Sequence, residues 1–457
     1  MRAAWGMAFL LLAFAACHHH ERAREVVDAG PDAGPPADAG PDAGPADAGP
    51  PDAGPPDAGA PDAGWPGSWE TFGPTLGHEA QVYPALALDA SGAPLVAYSP
   101  LVEAPGVVTT ELHVVRWSGS AWDPLGGTIA SSTNRLPYAA PLFVRLATDG
   151  TGRPVLAFGD SGPGASTGAF PLQTWTFDGS SWQPVPIPVT ADELGGIALS
   201  TGADGQVQLV VATSHELHVL VLGATGWTET LQPLSDDAGV SEPDLALDDD
   251  GSALVAFSQA PAPGAFGSLR ALRGTDAGWA DLGLPSPTGQ GLLFHTPRIK
   301  SRADGGLVVA ASQWQFDELS KTQMGLAVPV FALGEGGWSV LEQDGEPGGF
   351  GLSEPIPGSP VGLALENDIP VVVSTDADGG VSLRAIVAPD MTRAAPMIGG
   401  FGAGTLLQLP DGTSLVGAVL PVNQAIGPEA ADGGQVQIMH FTGTPAELSR
   451  SGVRALR

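Results

Sequence analysis

Cysteine occurs once in 457 residues, so no disulfide can form within the chain. Basic residues are scarce: 18 Lys and Arg stand against 50 Asp and Glu, a formal net charge of −32. Such a chain repels nucleic acid and anionic lipid headgroups, which excludes both as primary partners and favours a neutral or cationic ligand. Tyrosine is almost missing, with only Tyr83, Tyr98 and Tyr138 present. No arginine triad accompanies them, which argues against hydrolysis by a tyrosine nucleophile. There is no P-loop, no dinucleotide fingerprint and no Gly-x-Ser-x-Gly elbow, and no His/Cys cluster has zinc spacing. Charged residues make up only 15% of the chain, but hydrophobic residues reach 43%, enough for a large buried core.

The N-terminus carries an address. Met1-Arg2 is a short positive start, and Ala3 to Ala16 form an apolar run too short to span a bilayer. Residues 1–16 therefore read as a signal peptide. The run closes on Phe14-Ala15-Ala16-Cys17, small residues followed by the single cysteine. This resembles the lipobox of bacterial lipoproteins, with Phe14 where the family usually has Leu. The resemblance implies diacylglycerol on Cys17 and cleavage just before it. The alternative is ordinary cleavage after Ala16 with Cys17 a spare thiol. His18 is not the Asp that retains lipoproteins in the inner membrane, so the same resemblance implies the outer membrane of a Gram-negative bacterium, facing periplasm or exterior. Several acyl chains on one cysteine give stable anchoring.

Residues 17–27 then hold the tract His18-His19-His20, read as solvated tether because a metal site needs a fixed fourth ligand and supporting shell. Residues 28–64 repeat Asp-Ala-Gly eight times, mostly joined by Pro. Such a segment builds no core; extended at ~3.1 Å per residue, it reaches at most ~115 Å. It is a spacer.

From Trp65 to Arg457 one pattern recurs. Leu86-Ala87-Leu88-Asp89-Ala90-Ser91-Gly92-Ala93-Pro94-Leu95-Val96-Ala97-Tyr98 is an apolar strand, a tight turn and a second apolar strand. Copies centre on Gly152, Gly205, Gly251, Gly305, Asp368 and Gly412, a mean spacing of about 53 residues. A second anchor has the same period: Gly119-Ser120-Ala121-Trp122, Gly179-Ser180-Ser181-Trp182, Gly226-Trp227, Gly278-Trp279 and Gly337-Trp338 each follow an alternating strand. Four short strands per unit, with Gly turns, resemble the blades of β-propellers, including those of extracellular bacterial proteins. The resemblance covers residues 65–457 and implies an all-β, seven-bladed propeller of four-stranded antiparallel blades. It matches no named catalytic subfamily. The recurring Trp reads as packing between blades rather than as a sugar platform. Ser68-Trp69-Glu70-Thr71-Phe72-Gly73 looks like a fourth strand with no blade before it, and pairing with the last repeat would close the ring. A competing fourth strand lies near Glu447-Leu448-Ser449.

Chemistry is sparser. Asp248 and Asp250 beside Gly251, and Asp376 and Asp378 beside Gly379, are the calcium candidates, though neither has the later bidentate Glu of an EF-hand and the first pair occupies a repeat turn. No other cofactor is expected. The connections after the second strand of each unit vary in length: Ser99 to Glu111, Gly159 to Pro171, Ser312 to Gly325 and Leu420 to Gln435 are long, while Ser214 to Glu216 is minimal. Irregular insertion on one face of a regular scaffold marks that face for recognition. The loop Gln313 to Lys321 offers Trp314, Phe316, Asp317 and Glu318 to a sugar or peptide, or forms a flap of its own. At the start of the first strand, Arg145, Asp244 and Arg298 share a repeat column with Ala85 and are placed around the channel mouth, for a polar ligand or for one another. The expected function is a lipid-anchored binding module for a protein or glycan, touching membrane only through its anchor. The alternative is a polysaccharide hydrolase or lyase using carboxylates at the mouth.

Overall fold

The computed structural model describes residues 65, 67–76, 84–104, 107–134, 142–159, 171–189, 194–231, 233–235, 239–260, 268–284, 292–317, 322–342, 361–375, 380–388, 391–395, 398–399, 401–420 and 435–444. Cys17, the His tract, the spacer, Asp376, Asp378 and Glu447 to Ser449 lie outside them.

Seven antiparallel sheets follow one another along the chain, each built on a path of four strands. We letter these strands a to d outward from the ring axis. Strands a of successive blades touch one another in order, and the first touches the last, so the ring is closed. The protein is a seven-bladed β-propeller. Cores form mostly between neighbouring blades: Leu95, Leu112 and Val114 of blade 1 pack with Leu146 and Leu156 of blade 2, and comparable clusters recur around the ring.

The a–b turn explains the first repeat anchor. Gly92, Gly152, Gly205, Gly251, Gly305 and Gly412 all sit at φ between 78° and 84°, a conformation open to glycine without penalty. Blade 6 uses Asn367 and Asp368 instead, both at positive φ, a two-residue turn of the hairpin type. The turn aspartate caps the loop. Asp89 Oδ1 accepts from the Ser91 and Ala93 amides, and Asp149 Oδ1 from those of Thr151 and Arg153.

Turns of adjacent blades also touch. Gly150 donates its amide to the Gly205 carbonyl at 2.8 Å, and a Cβ on Gly205 would stand 2.2 Å from Gly150 Cα. Gly251 has the same φ with open space around it. Gly205→Ala is therefore expected to lower stability by roughly 1–3 kcal/mol more than Gly251→Ala, measurable as the difference in urea midpoints. Equal effects would show that the turns are not in contact.

The recurring Trp starts strand d and reaches back to the preceding blade. Trp182 Nε1 donates to Leu125 O at 2.7 Å, Trp227 Nε1 to Thr174 Oγ1 at 2.8 Å, and Trp338 Nε1 to Leu282 O at 2.7 Å. In these three blades the indole is blade-to-blade packing with a satisfied polar tip, whereas Trp122 Nε1 of blade 1 is buried with no hydrogen-bond partner among the described residues.

Strand d of blade 7 comes from the other end of the chain. Trp69–Thr71 pairs with Gln435–Phe441 in the register Trp69↔Phe441, Glu70↔His440 and Thr71↔Met439. The sheet then continues inward through Ser414–Leu420 to Phe401–Gln408. The clasp read from Ser68 to Gly73 is the one that closes the ring.

Two connections expected as loops carry strands. Leu101–Ala104 folds back on Val107–Trp117, and Ala130–Asn134 adds a third strand beside them. In blade 5, strand b runs from Leu307 through Asp317 and pairs with Thr322–Ala327, so Gln313 to Asp317 is the arm of a hairpin rather than a loop. Backbone pairing continues along strand a as well, with Leu293 opposite Trp314. The connections 160–170 and 421–434 lie outside the described residues. Ser214 and His215 alone separate strands b and c of blade 3.

Candidate functional site

Strand a of blades 2 to 5 spans Leu142–Thr148, Leu194–Thr201, Gly239–Leu247 and Leu292–Ser301. Each carries a register shift in its pairing with strand b, at the same column in blades 2, 4 and 5 and one position earlier in blade 3. Nine positions before the turn glycine stand Phe143, Gly196, Glu242 and Thr296, with φ of 56°, 146°, 52° and 46°. Left-handed backbone is uncommon for non-glycine residues and unusual for a β-branched threonine. The next residue is buried in every case: Val144, Ile197, Pro243 and Pro297. The one after is Arg145, Ala198, Asp244 or Arg298.

The bulge therefore re-aims the residues around it. Arg145, Asp244 and Arg298 lie within their strands, not at the starts, because pairing with strand b extends past them on the loop-rich side. Opposite Asp244 is Ala256, but Gly239 still pairs with Ala260. The three residues accordingly line the inner wall below the mouth rather than its rim.

Blades 4 and 5 are clipped together there. Asp244 Oδ2 accepts the Ile299 amide at 2.9 Å, and Glu242 Oε2 accepts the Thr296 amide at 2.6 Å. His295 Nδ1 lies 3.4 Å from the same Glu242 oxygen. Burial raises the Glu242 carboxyl, but the His295 charge and hydrogen bond, the Thr296 amide and Arg298 outweigh it and hold the group below its ordinary range. Burial lowers His295, yet the Glu242 charge and hydrogen bond leave it above its usual value.

Arg145 belongs to the same field. Burial and then the Arg298 charge push its guanidinium down to about 10, and Asp244 and Glu242 offset only part of this. A value of about 10 still leaves Arg145 charged at neutral pH. The structure thus brings Arg145, Asp244 and Arg298 into one electrostatic neighbourhood and adds Glu242 and His295. The added pair had a faint sequence signal: Ser241-Glu242-Pro243-Asp244 and His295-Thr296-Pro297-Arg298 align, with Pro before the charged residue.

The other candidates separate. Trp314, Phe316 and Asp317 sit on the blade 5 hairpin, beyond His295 on the same strand pairing, since His295 faces Ser312 and Leu293 faces Trp314. Glu318 lies outside the described residues. Asp248 and Asp250 are both bridged by Arg273, whose Nη2 stands 2.5 Å from one and 3.0 Å from the other. Asp248 Oδ1 also accepts the Asp249 amide and Asp250 Oδ1 that of Ser252. Both carboxylates are engaged by a guanidinium and by turn amides, as the turn reading expects. Among the described residues no group of three His, Cys, Asp or Glu could hold a metal ion.

No protein-family model and no curated protein matches the sequence. Solved structures match in fold. A polysaccharide lyase, an ulvan lyase solved with bound GlcA(1-4)Rha3S, is 12% identical with a TM-score of 0.52, covering 81% of this chain and 95% of its own. The α-L-arabinofuranosidase Arb93A from Fusarium graminearum, solved with an iminosugar inhibitor, is 10% identical with a TM-score of 0.43, covering 65% and 92%. The Aleuria aurantia lectin, solved with Fucalpha1-6GlcNAc, is 12% identical with a TM-score of 0.42, covering 70% and 97%. At these identities the likeness is one of architecture.

Proposed function

We propose that this chain is a glycan-recognition propeller, carried on a long spacer and anchored through lipid on Cys17 at the outer membrane. The observation that carries the recognition half is the gathering on one face of the bulged inner strands and the blade 5 hairpin. Arg145, Asp244, Arg298, Glu242 and His295 lie at the axis, and the hairpin bearing Trp314 and Phe316 rises beside them. Aromatic residue types and a few polar groups are the usual make-up of a saccharide site. The ulvan lyase, of similar fold, was solved with a bound saccharide, which is compatible with this reading. A glycan array probed with the full chain tests it; binding to no glycan would end it.

Turnover by two carboxylates fits less well. Hydrolysis of that kind needs one carboxyl held protonated as the acid. Glu242 is shifted the other way and is committed to a backbone amide. Binding is the reading we adopt.

The anchoring half has its own test. Cys17→Ser is expected to release the protein from membranes and leave its melting temperature unchanged, because Cys17 lies outside the propeller. Retention of the variant in the membrane fraction after a carbonate wash would overturn lipid anchoring.

A further inference from the structure

Blades 2 and 5 carry arginine in the same inner-strand column, and the two guanidiniums adopt the same pose. Arg145 Nη1 donates to the Val144 carbonyl at 3.1 Å, and Arg298 Nη1 to that of Pro297 at 2.8 Å. Each bond uses one of five N–H donors and leaves the Nε–Nη2 edge of the fork uncommitted. The nearby acids do not take it. Asp244 gives one oxygen to the Ile299 amide, and Glu242 holds the Thr296 amide and His295. Among the described residues neither arginine forms an ion pair.

Seven blades surround one axis, so blades 2 and 5 stand on nearly opposite sides of it. Both guanidiniums are enclosed by the ring yet keep some contact with solvent, as wall residues of a central channel do. Asp244 and Glu242 offset part of the arginine charge without taking either fork, so two planar donor edges stay open to an anion. A planar fork accepts a carboxylate in two parallel hydrogen bonds, a match that a lysine cannot make. The second oxygen of Asp244 remains as an acceptor beside them, suited to a hydroxyl and hostile to a bare anion. A ligand that satisfies both demands carries a carboxylate and hydroxyl groups on one ring.

We propose that Arg145 and Arg298 receive the carboxylate of an acidic saccharide, a uronate residue, with Asp244 accepting from its hydroxyls. This deepens the glycan-recognition reading and rests on it. It departs from the neutral or cationic ligand that the net charge favours. Net charge describes the whole surface, which salt screens beyond about 8 Å, while a ligand in the channel meets the two guanidinium forks directly.

The test is calorimetry on the full chain in detergent. The probes are oligogalacturonate, oligomannuronate, unsulfated chondroitin oligosaccharide, the methyl ester of the first, and inorganic sulfate. At least one uronate oligomer is expected to bind, with its methyl ester about tenfold weaker or worse. Arg145→Gln and Arg298→Gln should each weaken that oligomer about tenfold, and Arg116→Gln, on the face of the a–b turns and paired with Asp89, should not. Circular dichroism establishes that each variant is folded. If the Gln variants do not fold, Arg145→Lys and Arg298→Lys decide, since they keep the charge and lose the fork. Acid and ester bound equally, sulfate competing as strongly as uronate, or a folded double Gln variant binding as the native protein does would each overturn the proposal. Neutral glycans bound on the array would then leave glycan recognition standing. No glycan bound at all would remove both.

Discussion

Deleting residues 67–77 is expected to abolish the cooperative unfolding transition, while deleting residues 28–64 leaves it in place. The clasp does more than add three ladder pairs. Trp65 is almost wholly buried against Phe441, with ring centroids 4.8 Å apart, and packs among Ile369, Val371 and Val381 of blade 6. Trp69 lies 5.2 Å from the same Phe441 and fills in blade 7 the position that the recurring Trp fills elsewhere. Phe72 reaches the other way, to Trp117 and Trp122 of blade 1. One segment therefore joins blade 7 to both of its neighbours. Main-chain bonds extend the grip: Phe72 N to Ile438 O, Leu76 N to Val436 O and Thr442 N to Ser68 O. The deletion removes the half-buried Trp69 and Phe72 and the buried Leu76, and leaves Trp65 with no strand to hold it against Phe441. Losses of a few kcal/mol at each approach the whole stability of a domain, roughly 5–15 kcal/mol. The deletion also exposes the edge of Gln435–Phe441 to pairing with other chains. Calorimetry of both deletion proteins checks this, with light scattering as a second signal. Equal melting temperatures would mean that the ring does not depend on the clasp.

Much of this architecture was legible in the sequence because its devices are compositional. A turn that needs positive φ selects glycine, so Gly92 and its counterparts stand out at a fixed period. An indole filling the gap between blades selects Trp at a second fixed position. The clasp could be read because Gly67-Ser68-Trp69 repeats that second anchor where no blade precedes it. The candidate site was only half legible. A bulge that holds Glu242 and Thr296 in left-handed backbone leaves no mark on composition, so the repeat places Arg145, Asp244 and Arg298 at strand starts when they lie mid-strand. The length of its connection marks the blade 5 arm as a loop, whereas it is a strand. Its own alternation, Ser312-Gln313-Trp314-Gln315-Phe316, was a strand signal. Charge is read over the whole chain, and a count of acids says nothing of where they sit: Asp89, Asp149 and Asp411 cap turns and Asp248 pairs with Arg273, away from the strand a bulges.

Trp182→Ala is expected to lower stability by about 3–5 kcal/mol, the range for truncating a large buried aromatic. Its indole packs 5.4 Å from Phe177 and sits with Leu95, Leu112 and Val114 of the preceding blade. Truncation empties the space between blades 1 and 2 and leaves the Leu125 carbonyl without its 2.7 Å donor. A buried acceptor stripped of its partner adds to the penalty, and the surrounding strands cannot collapse inward because each is held in its own ladder. The contrasting variant is Trp314→Ala with Phe316→Ala. Both residues lie on the hairpin arm that extends blade 5, where alanine preserves the backbone pairing with Leu293 and Gln323. That pair is expected to change stability by about 1 kcal/mol or less while lowering binding on the glycan array. Urea denaturation of both variants at an unchanged slope measures the difference directly. If the hairpin pair destabilises the protein as strongly as Trp182→Ala, those aromatics pack the propeller together, and the face loses its aromatic platform as a recognition element.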